Sequence, residues 1–116
     1  MTHSALHELM ATIEERKANP GARSYTSSLP AGGAPKISAK ITEEAGDVVE
    51  AAAEPGEEGR LHLVREAADL LYHLLVLLAH REIPLAEVEA ELSRRGGVSG
   101  LDEKASRNSI PDQKQR

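Results

Sequence analysis

Arg60-Leu61-His62-Leu63-Val64-Arg65-Glu66-Ala67-Ala68-Asp69-Leu70-Leu71-Tyr72-His73-Leu74-Leu75-Val76-Leu77-Leu78-Ala79 is the stretch that decides the fold. The spacing predicts a helix over about Arg60–Glu82. Its second half, Leu70–Ala79, is apolar nearly all round, the pattern of a helix buried on every side. Interrupted by Tyr72 and His73, that run falls short of the roughly 20 apolar residues that a bilayer crossing needs. In a chain of 116 residues, a helix covered on all sides implies that a second subunit covers part of it. One stripe departs from the apolar surface: His62, Glu66, Asp69 and His73 recur at i, i+4, i+7 and i+11.

Eighteen residues separate Glu66 from a second acidic cluster upstream, Glu43-Glu44-Ala45-Gly46-Asp47. Glu44 and Asp47 are three apart, as are Glu66 and Asp69, and on a helix that spacing puts both members of a pair on one face. Four carboxylates from two neighbouring helices repel one another unless a cation or protons offset the charge. Hard oxygen ligands suit Mg²⁺, and Mg²⁺ suits phosphates. The bland reading of either pair is a solvated acidic face. Glu66 and Asp69 count against it, because they sit on the most hydrophobic helix, where an unpaired charge is costly. The pattern points to metal-assisted chemistry on a phosphorylated substrate.

Working outward, Ile37, Ile41, Ala45, Val48 and Ala52 share one face of a helix predicted over about Lys36–Ala53, with Glu44 and Asp47 at its margin. Pro35 suits its first turn, and Pro55-Gly56 ends it. Before it, Ala22–Ala34 reads as a polar loop, rich in Ser, Thr, Gly and Pro. Leu6, Leu9, Met10 and Ile13 predict a first helix over roughly Ser4–Lys17, with Ser4 as N-cap. After Ile83-Pro84, a last helix is expected over Leu85–Arg95 with Leu85, Val88 and Leu92 inward. Val98–Arg107 reads as a Ser/Gly segment and 108–116 as a disordered tail. The organisation expected is one all-α domain over 1–107.

Composition narrows the class. Tyr25 and Tyr72 are the only aromatic residues besides histidine, so the core is built from Leu, Val, Ile and Ala. A net charge of −5 argues against coating nucleic acid. Without cysteine there is no disulfide and no thiolate metal site. No signal-peptide core is visible at the N-terminus, so a cytoplasmic location without membrane attachment is the expectation.

Other residues carry competing readings. Lys36 and Lys40, one turn apart, are either a solvated pair or phosphate ligands beside the acids. His62 and His73 are ligands, partners of ligands or satisfied polar residues at a helix edge. A di-iron centre is disfavoured, because such bundles use Glu-x-x-His on two helices and here the neighbours are four apart. Tyr72 reads as core with its hydroxyl partnered. Ser24-Tyr25-Thr26 is either an ordinary loop or a phosphate contact.

These residues resemble a known pattern. Glu43-Glu44-x-x-Asp47, the eighteen-residue gap and Glu66-x-x-Asp69 resemble the signature of the all-α MazG-type nucleoside-triphosphate pyrophosphohydrolases. The Ser24-Tyr25-Thr26 loop, Lys36-Ile37-x-x-Lys40, the Asp69-Leu-Leu-Tyr72-His73 run and Ser99-Gly100…Glu103-Lys104-Ala-Ser106-Arg107 are similar to the phosphoribosyl-ATP pyrophosphohydrolase family, over about Leu6 to Arg107. One departure is Asp47, where the superfamily usually has Glu.

The resemblance implies a four- to five-helix bundle forming an intertwined homodimer. It implies hydrolysis of 1-(5-phosphoribosyl)-ATP to 1-(5-phosphoribosyl)-AMP and pyrophosphate, the second step of histidine biosynthesis, with Mg²⁺. Glu44, Asp47, Glu66 and Asp69 would hold the metal, and Glu43 would orient or deprotonate water. Lys36 and Lys40, with Ser24 and Tyr25, would bind phosphates. Arg95, Lys104 and Arg107 would contact the ribose phosphate. Apart from the resemblance, the place of His73 on the stripe beside the acids puts it behind the ligands. A house-cleaning pyrophosphohydrolase of non-standard dNTPs and a non-catalytic helical dimerisation module are the alternatives.

Overall fold

Four α-helices fill the described part of the chain: α1 (Ala5–Ala18), α2 (Tyr25–Ala52), α3 (Gly56–His80) and α4 (Leu85–Arg94). The computed structural model describes residues 4–19 and 25–96, with side chains in the second stretch from 33 onward. Ser24, Lys104, Arg107, the Val98–Arg107 segment and the 108–116 tail therefore lie outside the described residues, as does the side chain of Tyr25. No strand occurs among the described residues, so the chain is all-α. It forms two compact units, Met1–Leu85 and Ala86–Arg116.

In the first unit, α1 starts where its chemistry dictates. The Ser4 hydroxyl accepts from the His7 backbone N–H at 3.1 Å, which satisfies one of the donors left open at a helix start. Met10 and Ile13 face inward and are buried, while Leu6 is exposed. At the far end of α3, Lys17 Nζ donates to the Ala79 carbonyl at 2.7 Å. A cation on an open carbonyl of the last turn is the favoured partner there, and this bond pins α1 to α3.

α2 differs from its expected course. The polar stretch read as a loop over Ala22–Ala34 is helical from Tyr25, with one break at Gly33 (φ 70°, ψ −171°). That backbone conformation is open almost only to glycine, so one residue takes up the whole interruption and Pro35 opens the next turn. The buried line of α2 also differs. Ile37, Glu44 and Ala51 are buried, Ile41 and Val48 half-buried, and Ala52 exposed. These positions step by four and three along one seam, the spacing of a helix laid along another. Glu44 thus lies in the seam and not at its margin.

α3 begins four residues before the expected Arg60. Glu57 and Glu58 fill its first turn, where carboxylates oppose the positive end of the helix dipole. Gly59 is buried against the end of α2, and a Cβ there would run into the Glu54 carbonyl. Leu75, Val76 and Ala79 are buried with Met10, Ile13, Ile37, Ala51 and Leu85. The helix is not covered all round in the single chain: Leu61, Val64, Leu71 and Leu74 are exposed.

α4 carries Leu85 buried and Val88 half-buried. Leu92, expected inward, is 60 % exposed. Among the described residues no helix is long and apolar enough to cross a membrane.

Candidate functional site

α2 and α3 pack along each other and are joined by the three residues Ala53-Glu54-Pro55. Each carries one acidic pair, and Glu44 of α2 lies in the shared seam. Glu44 is 8 % exposed and His73 5 %. The His73 Nδ1 lies 3.1 Å from Glu44 Oε1 and 3.1 Å from the Asp69 carbonyl oxygen. One imidazole therefore bridges a carboxylate of α2 and the backbone of α3. Sequence spacing had set Asp69 and His73 as side-chain neighbours. The ring takes the Asp69 carbonyl instead, and the Asp69 side chain is exposed.

The second acid of α3 is held differently. His62 Nε2 lies 3.2 Å from Glu66 Oε2, and His62 Nδ1 lies 2.9 Å from Glu54 Oε1. The His62 side chain is about a third exposed and that of Glu66 less so. The hydrogen bond to Glu54 raises the His62 pKa above 6.5, aided by the charges of Glu54 and Glu66 and opposed by desolvation. Glu54 is a participant that sequence reasoning missed. It sits eight residues before His62, across a turn, where no helical periodicity connects the two.

The remaining predicted residues are more loosely placed. Asp47 is half-buried. Glu43 is exposed and paired with Lys40, with Nζ 3.3 Å from Oε1. Lys36 is exposed. Arg95, in the second unit, donates through Nε to Glu91 Oε2 at 2.9 Å, and Arg94 joins it at 2.8 Å. These two hydrogen bonds hold the Glu91 carboxyl down to about 2.

Among the described residues, no three His, Asp or Glu side chains stand together in an arrangement that could hold a metal ion. The donor set itself suits a hard divalent cation: four carboxylates on two packed helices, with no cysteine in the chain. The rotamers present engage Glu44 with His73 and Glu66 with His62, while Asp47 and Asp69 make no side-chain hydrogen bond or ion pair among the described residues. The groups fit a cation by chemistry, and as placed among the described residues they do not converge on one. An open groove of about 310 Å³ beside His62 is lined by Glu54, Glu58, Leu61, His62 and Arg65. None of the four acids lines it.

A sequence model of "phosphoribosyl-ATP pyrophosphohydrolase" matches residues 6–96. A curated "phosphoribosyl-ATP pyrophosphatase" of Rhodopirellula baltica is 53 % identical over 107 residues, covering 92 % of this chain and 89 % of that one. A "phosphoribosyl-ATP pyrophosphatase 1" of Bradyrhizobium diazoefficiens is 50 % identical, covering 92 % and 98 %. A "phosphoribosyl-ATP pyrophosphatase" of Dinoroseobacter shibae is 52 % identical, covering 90 % and 99 %.

Proposed function

Because this chain belongs to the phosphoribosyl-ATP pyrophosphohydrolase family, we propose that it hydrolyses 1-(5-phosphoribosyl)-ATP to 1-(5-phosphoribosyl)-AMP and pyrophosphate, the second step of histidine biosynthesis. The observation that carries this reading is the placement of both acidic pairs inside the matched span, on packed helices, with Glu44 buried and held by His73.

Glu44, Asp47, Glu66 and Asp69 would hold Mg²⁺. That ion would supply charge neutralisation for the polyphosphate and lower the proton affinity of an attacking water. The chain's own contribution is positioning. Lys36 is exposed one turn before Lys40, and the pair gives a cationic edge for the triphosphate. Lys40 also holds Glu43, placing a carboxylate beside the phosphates to orient or deprotonate water. Asp47 reaches one methylene less than Glu, which a small shift or a bridging water accommodates. Ser24, Tyr25, Arg95, Lys104 and Arg107 are assigned to substrate phosphates by resemblance alone.

The exposed line Leu61, Val64, Leu71 and Leu74 on α3 is assigned to a second copy of the chain, since an apolar helix face of this length rarely stays in water. The cytoplasm is the compartment this reaction assigns.

Turnover of 1-(5-phosphoribosyl)-ATP, compared with a panel of dNTPs and repeated with chelator, tests the function. The expected result is Mg²⁺-dependent release of pyrophosphate with strong preference for the phosphoribosylated substrate. Equal or better turnover of dNTPs would turn the reading to a house-cleaning enzyme.

A further inference from the structure

We propose that His73 is a positioning residue for this hydrolysis. Through the hydrogen on Nδ1 it ties the Glu44 carboxylate of α2 to the Asp69 backbone carbonyl of α3, and so sets the aim of Glu44 before a cation binds. The proposal rests on the function proposed above.

Donor and acceptor accounting leads to it. The two atoms facing Nδ1, Glu44 Oε1 and the Asp69 carbonyl oxygen, are both 3.1 Å away. A carboxylate oxygen and a carbonyl oxygen both accept, so Nδ1 carries the hydrogen and shares it between them. The neutral ring is thereby the Nδ1–H tautomer. The Asp69 carbonyl lies one turn before His73, where it also receives the helical N–H of residue 73. Contact with that carbonyl holds the ring against its own helix, and a ring so held presents its N–H to α2 at a fixed place.

Packing gives no reason for a histidine here. Position 73 lies within the apolar half of α3, between Leu70 and Ala79, where a leucine would bury more apolar surface at no polar cost. The imidazole is buried nonetheless, and its carboxylate partner with it. With so little water to compete, the bond has a well-defined geometry. It commits Oε1 of Glu44, so the aim of the whole carboxylate follows from the ring. It also ties Glu44 to the backbone of α3 at Asp69.

The test uses the full chain as wild type, His73→Leu and His73→Asn. Leucine keeps comparable volume without a donor, whereas the asparagine amide places an N–H near the position of Nδ1. Mn²⁺ affinity is measured by calorimetry without substrate, alongside thermal melting, kcat and KM. For His73→Leu we expect a cooperative melt, Mn²⁺ affinity about 10–100-fold weaker and a matching fall in kcat with a smaller change in KM, while His73→Asn stays within roughly threefold of wild type. Wild-type Mn²⁺ affinity and kcat in His73→Leu would overturn the proposal. A wild-type chain that neither binds Mn²⁺ nor cleaves 1-(5-phosphoribosyl)-ATP would instead bring down the proposed function. If His73→Leu does not fold, the long-range ¹⁵N–¹H spectrum of wild-type His73 decides. A proton on Nδ1 sustains the proposal, and a proton on Nε2 with Nδ1 bare ends it.

Discussion

His62 and His73 lie on the same stripe of α3, each four residues from an acid of the second pair, yet the helix treats them oppositely. His73 is buried, meets Glu44 across the seam and turns its ring onto a backbone carbonyl. His62 is partly exposed and spans two carboxylates, Glu54 in the turn and Glu66 on its own helix. The difference comes from depth and not from spacing. In the seam, each polar group must find a partner within the protein, because losing one strands the other. Near the α2–α3 turn, water and salt stand in for a lost partner, so the same pair of residue types is weakly held.

The largest effect expected is on chemistry. Glu66→Gln and Asp69→Asn should fold normally, with melting temperatures near wild type, since neither carboxylate lies in the buried core. Both should lose about 100-fold or more of pyrophosphate release, the usual scale for removing one preorganised electrostatic contact. Retained activity in both variants would contradict the site.

Next comes the contrast between the two histidine partners. Glu44→Ala leaves the His73 N–H with one acceptor in a buried place and opens space in the seam. It should cost about 1–3 kcal/mol by urea denaturation. Glu54→Ala should cost visibly less, and its effect should shrink further in high salt. Equal losses would erase the distinction drawn between seam and turn.

Much of this was legible beforehand. The Leu6, Leu9, Met10, Ile13 spacing and the Ser4 cap placed α1 within a residue, because caps and periodicity act locally. The pair Glu66 and Asp69 stood out because charges on an apolar helix demand a reason. What escaped was non-local. Periodicity puts Glu44 at the margin of its helix because the expected face runs through Ala45 and Ala52. In the structure Glu44 and Ala51 are buried and Ala52 is exposed, and Glu44 meets His73 of α3. Only the partner helix, which tolerates a carboxylate opposite His73, makes that burial favourable. The Gly-rich stretch before Pro35 has the composition of a loop throughout, whereas Gly33 alone takes the break. Likewise the apolar run of α3 implied cover on every side, and Leu71 and Leu74 remain exposed in the single chain.

A smaller effect sharpens the turn region. In the metal-free protein, His62 should titrate above 6.5, and Glu54→Gln should bring it back toward that value, as its largest cause is the Glu54 hydrogen bond. A folded value above the unfolded one means that the contribution to stability is fully present below 6.5 and is lost as pH rises through the folded value. The ring proton resonances of His62, followed against pH, measure this. A midpoint at or below 6.5 would remove His62 from its place between two carboxylates.

The smallest effect lies in the second unit, where Glu91 is held by Arg94 and Arg95 on the surface of α4. Its carboxyl stands at about 2 against an ordinary 4.5. The sign is opposite to that of His62: the contribution is present above 4.5 and disappears as pH falls through about 2. Exposed pairs within one helix contribute little, so the melting temperature should hardly respond to Glu91→Gln at neutral pH. The carboxyl ¹³C shift of Glu91 is the sensitive measurement. Its midpoint should rise toward 4.5 when Arg94 and Arg95 are both replaced by alanine. A midpoint already at 4.5 in the wild-type chain would mean that Arg95 does not hold Glu91 in solution and is free to meet an anionic substrate without first giving up an internal partner.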